Sequence, residues 1–80
     1  MESDAIYVRL TGIFHEVFDD DDIVLSPEMT AEDVSMWDSL GHVRLIIAIQ
    51  KAFGVTFSAA QASNLRNVGE LVGLIRSRTP

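Results

Sequence analysis

Two stretches of this chain hold side chains able to do chemistry. One is Asp38-Ser39-Leu40, with His42 one helical turn beyond the serine; the other is the unbroken run Asp19-Asp20-Asp21-Asp22. Ser39 stands where an acidic loop gives way to the most regular apolar helix pattern in the sequence. Side chains in the first turn of a helix lie outside the packed cylinder, so a hydroxyl there is exposed, and the free N–H groups and positive dipole end favour a phosphate attached to it. Asp38 reads as the N-cap, its carboxylate accepting from a first-turn N–H. Leu40 is expected to face elsewhere and to begin the buried stripe. Such a serine is placed to be modified rather than to attack a substrate. Hydrolase chemistry is disfavoured, because no glycine-flanked nucleophile elbow surrounds Ser39 and the only histidines are His15 and His42.

His42 shares a helix face with Ser39. It is expected to be an exposed helix histidine, the sharper alternative being that its protonated ring touches a phosphate on the serine. His15 has no partner visible in sequence and reads as a surface or boundary residue. The aspartate run invites a calcium reading, but an EF-hand loop needs glycine at its sixth position and glutamate at its twelfth. Counted from Asp19, those positions hold Val24 and Thr30. No specific metal site is expected there, only a solvated, weakly cation-binding loop. With no cysteine in the chain, there is neither a disulfide framework nor a cysteine-rich metal site, and any thiol chemistry must come from an attached group.

The charge balance narrows the partners. Twelve acids against six bases leave a net charge of −6, which disfavours nucleic acid; a helix-turn-helix around Gly54 would lack a basic recognition helix. The sign is unevenly spread. Residues 1–38 hold eleven acids and one base, Arg9, whereas residues 39–80 hold Glu70 against Arg44, Lys51, Arg66, Arg76 and Arg78. No apolar run approaches the roughly 18 residues of a membrane span, and Met1-Glu2-Ser3-Asp4 lacks a basic signal-peptide start. A soluble, cytoplasmic monomer is expected, folded as one domain over residues 1–80.

The elements that position Ser39 follow from periodicity. Ile6, Leu10, Ile13, Phe14 and Val17 mark one face of a first helix over about 4–18, with Ser3 as its cap. Four aspartates at its negative dipole end make 19–38 a loop. Ser26-Pro27 marks a turn, Thr30-Ala31-Glu32-Asp33 a capping box with a single turn at most, and Ile23-Val24-Leu25 could be taken for a strand but has none to pair with. Met29, Val34, Met36 and Trp37 are the expected loop anchors, Trp37 as a buried clamp rather than a partner contact. The second helix, about 39–53, carries a broad apolar face of Leu40, Val43, Ile46, Ile47, Ile49 and Phe53 and stops at Gly54. That breadth makes it the central element, covered by several others. Phe57 plugs one end of the core. Ser58-Ala59-Ala60-Gln61 caps a short helix, about 59–63, closed by a left-handed Asn64. Asn67 caps the last helix, about 68–78, with Val68, Leu71, Val72 and Ile75 inward and Thr79-Pro80 as a frayed end. The fold expected is all-α, a small bundle of three longer helices and one short one with a long loop between the first two.

Asp38-Ser39-Leu40 opening the second helix, together with this helix order along almost the whole chain, resembles the acyl carrier protein family. The resemblance implies a non-catalytic carrier, with 4′-phosphopantetheine joined to Ser39 through a phosphodiester by a separate phosphopantetheinyl transferase. Acyl groups held on the arm's thiol as thioesters would then pass between acyl-loading and acyl-processing enzymes, and Asp38, Leu40, His42 and Arg44 would be the partner-recognition residues. Arg44, Gln50 and Lys51 stand where carriers of fatty-acid synthesis commonly have acids. Trp37-Asp38-Ser39-Leu40-Gly41-His42 looks more like the stand-alone carriers of polyketide or other secondary metabolite assembly. The alternative is a stand-alone aminoacyl or peptidyl carrier of nonribosomal peptide type, disfavoured because Trp37-Asp38 replaces the glycine-glycine-histidine common before that serine.

Overall fold

The computed structural model describes residues 2–79 and is all-helical over them. Four α-helices follow in order: α1 Ser3–Phe18, α2 Ser39–Phe53, α3 Ala59–Ser63 and α4 Val68–Arg78, with a three-residue 3-10 turn, Ala31–Asp33, in the loop after α1. Helix α1 packs against both α2 and α4. Its buried residues are Ile6, Leu10, Phe14 and Phe18, one every fourth position, while Ile13 and Val17 sit at the edge. Ser3 is not the cap expected of it. Glu2 occupies that position without a side-chain bond, and its carbonyl accepts from Ile6 N–H instead. The helix ends where Asp19 turns left-handed, with φ 49°. The N–H groups of Asp19 and Asp20 both return to the His15 carbonyl, which satisfies an otherwise orphaned acceptor. Aspartate is among the few residues with a side chain that tolerate this conformation.

Three sources fill the core: Leu45, Ile46 and Ile49 from α2, Val68, Leu71, Val72 and Ile75 from α4, and Ile23, Val34, Trp37 and Phe57 from connecting segments. The long loop is tied down by its own carbonyls. Met29 N–H bonds the Ser26 carbonyl, and the first N–H groups of α4, from Val68 and Gly69, bond the carbonyls of Met29 and Pro27, each at 2.9 Å. A Cβ at Gly69 would meet the Pro27 oxygen at 3.1 Å, so the close approach favours glycine there. The half-buried Tyr7 hydroxyl ionises above its ordinary range, first through burial and second through the nearby Glu28 carboxylate of this loop. Asp33 closes the 3-10 turn by accepting from Thr30 N–H at 2.9 Å.

Three loop and helix-end expectations need correction. Met36 is exposed rather than an anchor, because the bond from Trp37 N–H to the Val34 carbonyl closes a turn that carries Trp37 inward and leaves Met36 outside. Asn64 is not left-handed, with φ −92°; its N–H simply continues the helical pattern to the Ala60 carbonyl. His15 is the boundary residue expected, half-buried, and the fold gives it partners that the sequence did not show: its Nε2–H donates to the Ile23 carbonyl at 2.8 Å, and Nδ1 lies 3.9 Å from Asp21. Thr79 is bonded through Oγ1 to the Ile75 carbonyl, while Pro80, expected in the same frayed end, lies outside the described residues.

Gly54 does stop α2, with φ 65° and both its own N–H and that of Val55 bonded to the Gln50 carbonyl. Gln50 also accepts from Phe57 N–H through Oε1 at 2.8 Å, fixing the buried Phe57 against the end of the core. On the opposite side, Arg9 of α1 donates to the Ala52 carbonyl at 2.7 Å and lies 4.7 Å over the Phe53 ring. A cation at a helix C-terminus offsets the negative end of the dipole. The C-terminal end of α2 is thus held by several contacts, which steadies the helix whose first residues carry the candidate site.

Candidate functional site

Asp38 is in extended conformation and caps α2 twice. Its carboxylate accepts from Gly41 N–H at 2.8 Å, and its carbonyl accepts from His42 N–H at 2.8 Å. Among the described residues, the N–H groups of Ser39 and Leu40 have no intramolecular acceptor and remain at the open helix end. Ser39 is exposed. Beside it lies an open depression of about 470 Å³ lined by Ala31, Trp37, Asp38, Ser39, His42 and Ser63. No cationic side chain lines it, so the positive field at the serine hydroxyl comes from the helix end itself.

Trp37 forms the floor of this region. It is 8% exposed, and its ring meets Phe14 edge-on at 5.2 Å and tilts against Phe18 at 6.2 Å. This is the clamp reading. Burying an indole also buries its N–H, which must find an acceptor. The acceptor is His42 Nδ1, at 3.0 Å, with the imidazole stacked along the indole at 11°. Because Nδ1 accepts, Nε2 must carry the proton, and it donates to the Ala62 carbonyl of α3 at 2.8 Å. His42 is therefore half-buried and not the exposed residue expected. Both ring nitrogens are engaged, Nδ1 with the indole N–H and Nε2 with the Ala62 carbonyl, so neither is free to meet a phosphate on Ser39.

Leu40 is the second correction. It is 69% exposed, with Val43 at 54% and Ile47 at 47%, so this part of the apolar face is uncovered. The buried residues of α2 are instead Gly41, Leu45, Ile46 and Ile49. Arg44 is exposed on the same outer side as Leu40. The five residues singled out at the sequence level thus divide: Asp38, Ser39 and His42 line one depression, whereas Leu40 and Arg44 belong to the outer surface of α2.

Gly41 was not singled out, yet it makes the site possible. The loop crosses α2 so closely that a Cβ on Gly41 would run into the Met36 carbonyl oxygen and come within 3.0 Å of the Phe18 ring. Only glycine lets Trp37 and Asp38 lie against the helix start. A glycine two residues into a helix, where alanine would be preferred, was the available signal. Ala31, Ala62 and Ser63 carry no such signal; they join the site only through the long loop and α3.

The family model described as "Phosphopantetheine attachment site" matches residues 8–75. Among solved structures, the solution structure of holo acyl carrier protein from Geobacter metallireducens is similar at 40% sequence identity, covering 90% of this chain and 83% of that one, with a TM-score of 0.85. The comparison with curated proteins finds no match.

Proposed function

The chain belongs to the phosphopantetheine attachment-site family and is an acyl carrier protein, and we propose that Ser39 is the residue that carries its 4′-phosphopantetheine. One observation carries the assignment: an exposed serine hydroxyl opens α2 beside an accessible depression, where Asp38 caps the neighbouring N–H groups and those of Ser39 and Leu40 stay free. These residues fit the group. Its phosphodiester would sit at the positive end of a 15-residue helix, and its arm would leave over the depression floored by Trp37 and His42. When attached, the group supplies the thiol that holds an acyl chain as a thioester.

The chain's own contribution is placement. Asp38 fixes the start of α2, Gly41 admits the loop, and the Trp37–His42–Ala62 bonds hold the depression's walls. Ser39 Oγ presents a nucleophilic oxygen to a separate phosphopantetheinyl transferase, which needs access that a buried serine would deny. Acyl-loading and acyl-processing enzymes of a polyketide or other secondary metabolite route are the partners, and Asp38, Leu40, His42 and Arg44 are the residues beside Ser39 that they meet. For His42 the meeting is indirect, since both ring nitrogens face inward. Arg44 and Lys51, where acids would suit the enzymes of general fatty-acid synthesis, support a dedicated route.

Intact-protein mass tests the attachment. After incubation with coenzyme A, magnesium and a broad-specificity phosphopantetheinyl transferase, the wild-type chain is expected to gain one phosphopantetheine and Ser39→Ala none. A folded wild-type sample that gains nothing, or a variant that still gains it, would overturn the assignment of Ser39.

A further inference from the structure

The uncovered face of α2 has a composition of its own. Leu40, Val43, Arg44, Ile47 and Lys51 recur at i, i+3, i+4, i+7 and i+11, one side of a 3.6-residue helix, and all five are exposed. Leu40, Val43 and Ile47 are half of the large apolar residues that the described surface exposes, and they alone form a helical stripe. Nothing acidic lies between them along α2 after Asp38, whose carboxylate is engaged in the cap. Arg44 and Lys51 form no ion pair among the described residues, although the molecule as a whole carries −6. A sequence with eleven acids before residue 39 has placed none on this face. A charged stem laid beside an apolar stripe also keeps the stripe from closing on a second copy of the same face, since like cations would meet across a two-fold axis.

We infer that this face docks a partner protein whose contact surface is an apolar depression rimmed by carboxylates. The inference deepens the carrier reading and rests on it, because a partner seated on this stripe stands directly over the start of α2, where Ser39 is presented. Leu40, Val43 and Ile47 supply the apolar centre; Arg44 and Lys51 select the acidic rim and repel a basic one. The long-range field works the other way. A molecule of net −6 attracts basic partners at a distance, so preference for an acidic one has to come from this face.

Synthetic amphipathic helices test it. Two peptides share one leucine stripe and differ only in their rims, glutamate in one and lysine in the other, and each is titrated into ¹⁵N-labelled protein already loaded with phosphopantetheine and checked by mass. The glutamate-rimmed peptide is expected to shift the amides of residues 40–51. Its affinity should fall about fivefold on raising salt, as two exposed ion pairs of ordinary strength imply. The lysine-rimmed peptide should leave those amides in place. Arg44→Glu with Lys51→Glu, both on exposed positions and checked by circular dichroism, should exchange the preference. Equal or stronger shifts of α2 with the lysine-rimmed peptide, or none with either, would overturn the inference. So would concentration-dependent shifts of the same amides without peptide, which would give the face to a second copy. A sample that cannot be loaded counts against Ser39 instead, so the two failures are told apart.

Discussion

Gly41 and Trp37 set the site by opposite means, one by having no side chain and the other by having the largest. At Gly41 an added methyl meets the Met36 carbonyl, which is backbone and cannot rotate away. Gly41→Ala therefore has to push the loop off α2. The usual cost of overpacking is about 1–3 kcal/mol, and a backbone obstacle places this variant at the upper end, outweighing the roughly 1 kcal/mol that alanine gains in helix propensity. Urea unfolding is expected to show a midpoint shift of that size, with slower transfer of phosphopantetheine to Ser39 because Asp38 loses its register. An unchanged midpoint would mean that the loop has an alternative path. Trp37 separates packing from hydrogen bonding. Trp37→Phe keeps a ring against Phe14 and Phe18 but leaves His42 Nδ1 without its donor, a loss of about 1–3 kcal/mol, whereas Trp37→Ala also opens the core and should cost about 3–5 kcal/mol. If the two variants unfold at the same denaturant concentration, the indole is held by its N–H and not by its faces.

Helix α3 has five residues and none of them is buried, so it is stabilised by its ends and neighbours rather than by burial. Ser58 Oγ accepts from Gln61 N–H and Gln61 Oε1 accepts from Ser58 N–H, a reciprocal cap that was plain in the sequence; Arg78 also donates to Gln61 at 3.0 Å. The bond from His42 Nε2–H to the Ala62 carbonyl was not, because nothing in the spacing of residues 20 apart points to it. His42→Ala is expected to raise amide hydrogen exchange most in α3, because it cuts the tie between α3 and α2, and less in α1 and α4, which feel only the loss of an acceptor for the buried Trp37 N–H. Uniform loss of protection would show that α3 is part of the global unit. The same contrast between local and tertiary signals explains what the sequence disclosed of α2. Its capping aspartate, its start beside Ser39 and its glycine stop depend on neighbouring residues and were readable. Which apolar stripe faces inward was not. Leu40, Val43 and Ile47 satisfy helical spacing as well as Leu45, Ile46 and Ile49 do, and only the positions of α1 and α4 decide that the second set is covered. The overall order of helices was legible for the same reason: periodicity reports that a face is apolar and leaves open whether that face is a core or a docking surface.

Across the whole molecule, charge is sorted rather than balanced, and salt should act on its two halves in opposite directions. Asp19, Asp20, Asp21 and Asp22 are all exposed at the negative end of the α1 dipole, and among the described residues the nearest nitrogen of a basic side chain within ion-pair range of them is His15 Nδ1, 3.9 Å from Asp21. Asp20 Oδ1 accepts from Asp22 N–H at 3.0 Å. Asp20, Asp22 and Asp33 border an open depression of about 350 Å³, but no group of three ligating side chains is assembled to hold a metal among the described residues. Screening is the effect that we expect cations to have on this cluster. The Debye length falls from about 30 Å at 0.01 M to about 8 Å at 0.15 M, which shortens the reach of the repulsion among these carboxylates and adds up to about 1 kcal/mol of stability, or roughly 4–8 °C in Tm for a domain of this size. Thermal unfolding is expected to rise by this amount with sodium chloride, and magnesium chloride at matched ionic strength should do no more. A clear excess with magnesium would reveal a bound ion. On α2 the same screening weakens any contact that Arg44 and Lys51 make with carboxylates across an interface. Salt should thus make this carrier more stable and its partner docking weaker at once, an opposition that a carrier with acids on both its loop and its α2 face would show only against basic partners.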